Sequence, residues 1–176
     1  MVSLSFVFFF LLIIFGIIGA MRGWAKEMLV SFAIILALFI LSVIQSLPPI
    51  RDTVGIAGSS SKFWFQALVI IILAFFAYQT PNISKIAGAR FARERLADVL
   101  LGFLMGVING YLVIGTLWYF LDQAGYKPLE AYFMAPDSEA VQRLLTYMVP
   151  HFMGPGSLLL YFAVAVAFLF VIVVFL

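Results

Sequence analysis

An all-α fold, a polytopic membrane helix bundle with five transmembrane helices, is the architecture this sequence predicts, and three observations predict it. Of the 176 residues, 65% are hydrophobic and only 10% are charged, whereas soluble domains run at about 45–50% apolar and about 25% charged. The apolar residues gather in runs that reach or approach the ~20 residues needed to cross a bilayer. Glycines recur at four-residue spacing in the runs that hold Gly16 and Gly102, and small residues on one stripe let neighbouring backbones approach where lipid supplies no hydrophobic drive.

The first run extends from Leu4 to Met21. No basic segment precedes it and no small-residue cleavage site follows, so a cleaved signal peptide is not expected. Gly16, Gly19 and Gly23, with Ala20, form a small-residue stripe along it. Arg22-Gly23-Trp24-Ala25-Lys26-Glu27 then leads straight into a second run, Met28 to Leu47. Gly23 has no Cβ to clash in a left-handed helix end. Arg22 lies at the negative end of the first helix dipole and Glu27 at the positive end of the second. These charges fit a tight antiparallel hairpin, with partner binding by Arg22 or Lys26 as the alternative.

Pro48-Pro49 closes the second helix, and the connection to Lys62, with Gly55, Gly58 and Ser59 to Ser61, reads as an exposed loop. The third run is Phe63 to Tyr78, with Trp64 and Tyr78 placed for the two interfaces. Residues 81–98 follow, carrying Lys85, Arg90, Arg93 and Arg95. Such a basic, weakly amphipathic helix is expected to lie along anionic lipid headgroups; a specific protein or headgroup site is the alternative.

The fourth run, Val99 to about Leu121, begins just after Asp98 and carries Gly102, Gly106 and Gly110 on one face. Asn109 lies beside that face near mid-span. A side-chain amide at that depth needs an interhelical hydrogen bond, worth roughly 0.6–2 kcal/mol, and reads first as structural glue. Intramembrane polar groups can also mark a substrate path. Residues 137–149 have apolar positions at the helical period, Val141, Leu144, Leu145, Met148 and Val149. They predict a surface helix half-sunk in the interface, capped by Asp137 or Ser138 and ended by Pro150. His151 falls in the loop after it. The last run, Leu158 to Leu176, has neither charge nor glycine and suits lipid or another subunit. Residues 1–157 thus form a four-helix membrane module, and 158–176 an additional C-terminal span.

If five helices alternate, the Arg22–Glu27 turn and the 81–98 segment share one side, with six of the ten basic residues and three of the eight acidic ones. The opposite side holds the remaining four basic and five acidic residues. The positive-inside rule then predicts the N-terminus outside and the C-terminus in the cytoplasm.

Two of these segments together resemble the colicin V production protein (CvpA) family over roughly residues 1–150. One is Gly19-Ala20-Met21-Arg22-Gly23-Trp24-Ala25-Lys26-Glu27. The other runs from Asp98 through Gly102, Gly106 and Asn109-Gly110 to Tyr119-Phe120-Leu121-Asp122. Family members often have Arg where this chain has Asn109, and an acidic residue near the N-terminus where it has Ser3 or Ser5. The last helix lies beyond the family's usual four-helix unit. The resemblance implies a bacterial inner-membrane protein linked to bacteriocin production or export and envelope homeostasis. Related four-helix modules anchor periplasmic serine proteases. It carries over no catalytic residues.

Three functions compete. The first is a non-enzymatic accessory or scaffold protein acting through helix contacts, with other membrane subunits or copies of itself as partners. The second is a small transport or export component with a polar path near Asn109, drawing on Asp98, Arg22, Gln66 or Gln79. The third, an enzyme, lacks support: there is no carboxylate pair, HExxH, P-loop or Gly-x-Ser-x-Gly pattern. With no cysteine and the single His151, a thiolate or multi-histidine metal or haem site is not expected. No catalytic, metal or cofactor site is expected, and no nucleic acid partner. The helix-packing residues proposed are Gly16, Gly19, Gly23, Gly102, Gly106, Asn109 and Gly110, and the turn and charge-cluster residues are Arg22, Lys26, Glu27, Arg93, Arg95 and Asp98.

Overall fold

Helix α2 (Trp24–Ser46) is the centre of the molecule. Its inward stripe, Glu27, Val30, Ser31, Ile34, Ala37, Leu38, Leu41 and Ser42, recurs every three or four residues and is buried throughout, as one face of a 3.6-residue helix requires. Around it stand α1 (Leu4–Arg22), α3 (Ser60–Tyr78) and α4 (Arg95–Gly110). α4 runs on through a π-helical turn, Tyr111–Gly115, into α5 (Thr116–Gln123). A single 3₁₀ turn at Lys127–Leu129, α6 (Glu139–Thr146), α7 (Val149–Phe152) and α8 (Leu158–Phe175) complete the chain. This computed structural model describes residues 3–48, 59–79, 95–133 and 139–175, and every regular element among them is helical.

Four stretches are long and apolar enough to cross a bilayer: Leu4–Arg22, Trp24–Ser46, Ser60–Tyr78 and the continuous Leu96–Gln123. α8 is a further apolar helix, antiparallel to α2. Tyr161 meets Phe39 with ring centroids 6.0 Å apart, and Phe170 meets Phe32 at 5.1 Å.

The neighbours of each helix differ from the chain order. Only Gly23 separates α1 from α2, but α1 packs mainly on α4 and touches α2 little. The expected hairpin is therefore a tight turn between helices that part, because Gly16 and Gly19 face α4 rather than α2. α3 starts earlier than its apolar run: the Ser59 hydroxyl accepts a hydrogen bond from the Lys62 N–H at 3.2 Å, so Ser59 is an N-cap and Ser60 and Ser61 are helical.

The predicted helix at 137–149 also changes. It ends at Thr146, and Pro150 lies in the first turn of α7, where proline's missing N–H leaves no helical bond unmade. His151 accordingly sits in a short helix, exposed, with its ring edge-on to Tyr119 at 6.4 Å. Leu145, Met148 and Val149 are buried in the protein core, with Val141 and Leu144 packed against it. The apolar face is thus docked on the bundle. At this end of the molecule Phe8 packs on Trp118 at 5.3 Å, and the Trp118 Nε1–H donates to the Tyr126 hydroxyl at 3.0 Å. Tyr126 has φ 61°, an uncommon backbone state for a bulky residue, held by that burial and hydrogen bond.

Candidate functional site

The two glycine stripes identified in the sequence face each other. A Cβ added to Gly19 would fall on the carbonyl oxygen of Gly102 and 2.7 Å from the Gly106 Cα. One added to Gly106 would meet the carbonyl of Phe15, and one at Gly102 the carbonyl of Gly19. Gly16 is closed in by Phe103 and Val107, and Gly110 by Phe15 and Leu12. α1 and α4 therefore meet backbone to backbone, the close approach that small residues permit in membranes.

At the head of this seam the turn is fastened to α4. Gly23 has φ +84°, a region that favours glycine. A Cβ there would also stand 2.9 Å from both Asp98 carboxylate oxygens. Asp98 Oδ1 accepts a hydrogen bond from the Trp24 N–H at 3.3 Å, placing a carboxylate at the positive end of α2. The acid that caps α2 thus comes from another helix.

Below the turn lies a buried polar cluster. Arg22 Nη1 donates to Glu27 Oε1 at 2.8 Å, with the Glu27 side chain 0% exposed and Arg22 17%. Asn109 Nδ2 donates to Glu27 Oε2 at 2.7 Å and to the Glu27 carbonyl at 2.9 Å. Its Oδ1 accepts from the Ser31 hydroxyl at 2.7 Å. The Tyr78 hydroxyl donates to Glu27 Oε2 at 3.3 Å, while Arg22 Nη2 donates to the Tyr78 carbonyl at 3.1 Å. The Arg22 guanidinium carbon lies 4.4 Å from the Tyr78 ring centroid, within cation–π range. Side chains from α1, α3 and α4 therefore converge on one carboxylate of α2.

Removing a carboxylate from water costs several kcal/mol, offset only when its charge is paired and its remaining lone pairs accept hydrogen bonds. Glu27 meets both conditions. Its partners come from the three other helices, so the full set of hydrogen bonds forms only when all four are in register. The cluster acts as a lock, and it spans from the Arg22 turn to Asn109, near the middle of Leu96–Gln123.

Most of the residues proposed from sequence converge here: Gly16, Gly19, Gly23, Gly102, Gly106, Gly110, Arg22, Glu27, Asp98 and Asn109. Lys26 is half-buried on the same turn. Arg95 opens α4. Arg93 and the rest of the basic segment up to residue 94 lie outside the described residues. Gln79 is exposed, and Gln66 is buried on α3, where it lines a different cavity. Two additions concern Glu27 and Tyr78. Glu27 does more than complement a helix dipole, and Tyr78, at the end of its span, turns inward to the cluster. Ser31 was legible in principle, because it is a polar residue in the first turn of an apolar run, four positions after Glu27, and so shares a helix face with it.

No family model matches the chain, and no curated protein or solved structure does either.

Proposed function

We propose that this chain is a non-enzymatic accessory or scaffold subunit of a bacterial cytoplasmic membrane, acting through helix contacts with other membrane subunits or with itself. The observation that carries the reading is the closure of the Glu27 cluster: its carboxylate, the Asn109 amide and the Arg22 guanidinium are spent on one another. Such a cluster fixes four helices in place and leaves lipid-facing surfaces to meet partners. Those surfaces include Phe6, Phe10, Ile13 and Ile17 on α1, and Phe162, Leu169 and Val173 on α8. α8 is read as a fifth span, since its 18 residues rise about 27 Å at ~1.5 Å per residue, close to the ~30 Å hydrocarbon core.

The resemblance to the colicin V production family supports a link to bacteriocin production or export, or to envelope homeostasis. Its two motif segments are the ones joined here at Gly23 and Asp98. The charge distribution supports an orientation with the N-terminus outside and the C-terminus in the cytoplasm, and the 81–98 segment is read as a contact for anionic headgroups. Purification in mild detergent tests the scaffold reading. A stoichiometric companion or a defined homo-oligomer is expected, and a strict monomer without a companion overturns it.

One observation favours a second reading, a small transport component. The cluster puts an ionisable carboxylate in contact with Asn109 at mid-span, and intramembrane ionisable groups often line substrate or proton paths. Proteoliposome flux that disappears in Asn109→Leu would move the assignment to transport. Flux absent from the wild type, or untouched by changes at Asn109, Glu27 and Arg22, would eliminate this reading.

A further inference from the structure

At the end of the bundle opposite Arg22, the last turns of α2 and α5, the first turns of α3 and the link between α7 and α8 line a half-open cavity of about 160 Å³. Its walls carry Ser42, Gln45, Lys62 and Gln66 above a floor that includes Leu41 and Phe63. Ser42 is 2% exposed, and among the described residues its hydroxyl has no hydrogen-bond partner. A buried hydroxyl left unpaired costs roughly 1–3 kcal/mol, so this wall is suited to a polar atom from outside the chain.

The electrostatics choose the sign of that atom. Lys62 stands in the first turn of α3, whose positive helix end faces the cavity and whose first turn holds no acid. No acidic residue is among the described residues lining it. Hydroxyl and amide donors beside one ammonium group suit a phosphate. Size agrees with a compact group, since a cavity of about 150 Å³ takes up a benzene molecule. Placement points to the source: the lining residues come from helix ends, where a spanning bundle would meet headgroups, and the floor beneath them is apolar.

We infer that this cavity binds the phosphate-bearing headgroup of an anionic phospholipid, with Lys62 and Ser42 as its contacts. Native mass spectrometry of the full chain in mild detergent tests it with three probes: phosphatidylglycerol, the matching diacylglycerol without phosphate, and soluble glycerol phosphate. One retained phosphatidylglycerol is expected, with no retained diacylglycerol. Lys62→Met should weaken retention about ten- to hundredfold, the loss of one charge-assisted hydrogen bond, and Ser42→Ala by less. Lys127→Met, which changes an exposed lysine outside the cavity, should leave retention unchanged. Equal retention of diacylglycerol, indifference to both Lys62→Met and Ser42→Ala, or an equal loss in Lys127→Met overturns the proposal. Tight glycerol phosphate binding without a lipid adduct overturns the lipid source.

Discussion

α1 meets α4 backbone to backbone, whereas α8 meets α2 through side chains. At the first contact, glycines on both helices face the opposing chain, and the seam is continuous with the Arg22–Glu27–Asn109 cluster. At the second, Leu160 and Ala167 are buried and aromatic rings lie against Phe32 and Phe39, with no glycine in α8. In lipid, two apolar faces gain little by leaving acyl chains for each other, so close backbone approach and paired polar groups decide which helix pairs hold. The α1–α4 pair has both. The α2–α8 pair relies on side-chain fit alone, which makes α8 the easier helix to release or share with another chain.

The largest way to break this contrast is to leave the buried carboxylate unpaired. Arg22→Met should cost about 3–5 kcal/mol, the range for removing one partner of a buried ion pair, read as detergent-phase unfolding. Adding Glu27→Leu should return part of that loss, because the unpaired charge goes with it. If Arg22→Met unfolds like the wild type, the pair locks nothing. The seam should be next. Gly19→Ala places a methyl group against backbone on α4, which cannot rotate away, and should cost about 1–3 kcal/mol, as overpacking does. Gly16→Ala meets only side-chain atoms, Phe103 Cε2 at 2.7 Å and Val107 Cγ2 at 2.8 Å, and should cost less. Equal costs at the two positions would show that side-chain repacking, not backbone proximity, sets the tolerance.

Asn109→Leu should come third, at roughly 1–2 kcal/mol for interhelical hydrogen bonds in a membrane. The same variant tests how well the sequence could be read. Need for a partner was legible at Asn109, because a mid-span amide has no water to bond. Glu27 as that partner was not, because a glutamate in a first helical turn has an ordinary role beside the dipole. The glycine stripes were legible as seams by spacing alone, but spacing does not say which helix a stripe faces. That α1 leaves its chain neighbour for α4 is decided by where both glycine faces point in three dimensions. The inward turn of Tyr78 was not legible, because a tyrosine at a span's end suits an interface equally well. If Asn109→Leu is as stable as the wild type, the cluster reduces to the Arg22–Glu27 pair.

The smallest effect should lie at α8, and its size sharpens the comparison most. Leu160, at the start of α8, is 0% exposed in the core, and in a soluble core Leu→Ala would cost about 2–5 kcal/mol, part transfer and part cavity. With α8 in the bilayer, as proposed above, the transfer part nearly vanishes, because acyl chains are as apolar as leucine. Leu160→Ala should therefore cost only about 1 kcal/mol, the residual cavity contribution. Phe162→Ala, at a position 66% exposed, should change stability still less in the isolated protein. Its effect should appear instead in whatever assembly covers α8. A cost at Leu160 as large as that of Arg22→Met would mean that side-chain fit alone can match a buried ionic lock in this bundle. α8 would then belong with the rigid core, and its outer face would lose its claim as the surface most readily shared.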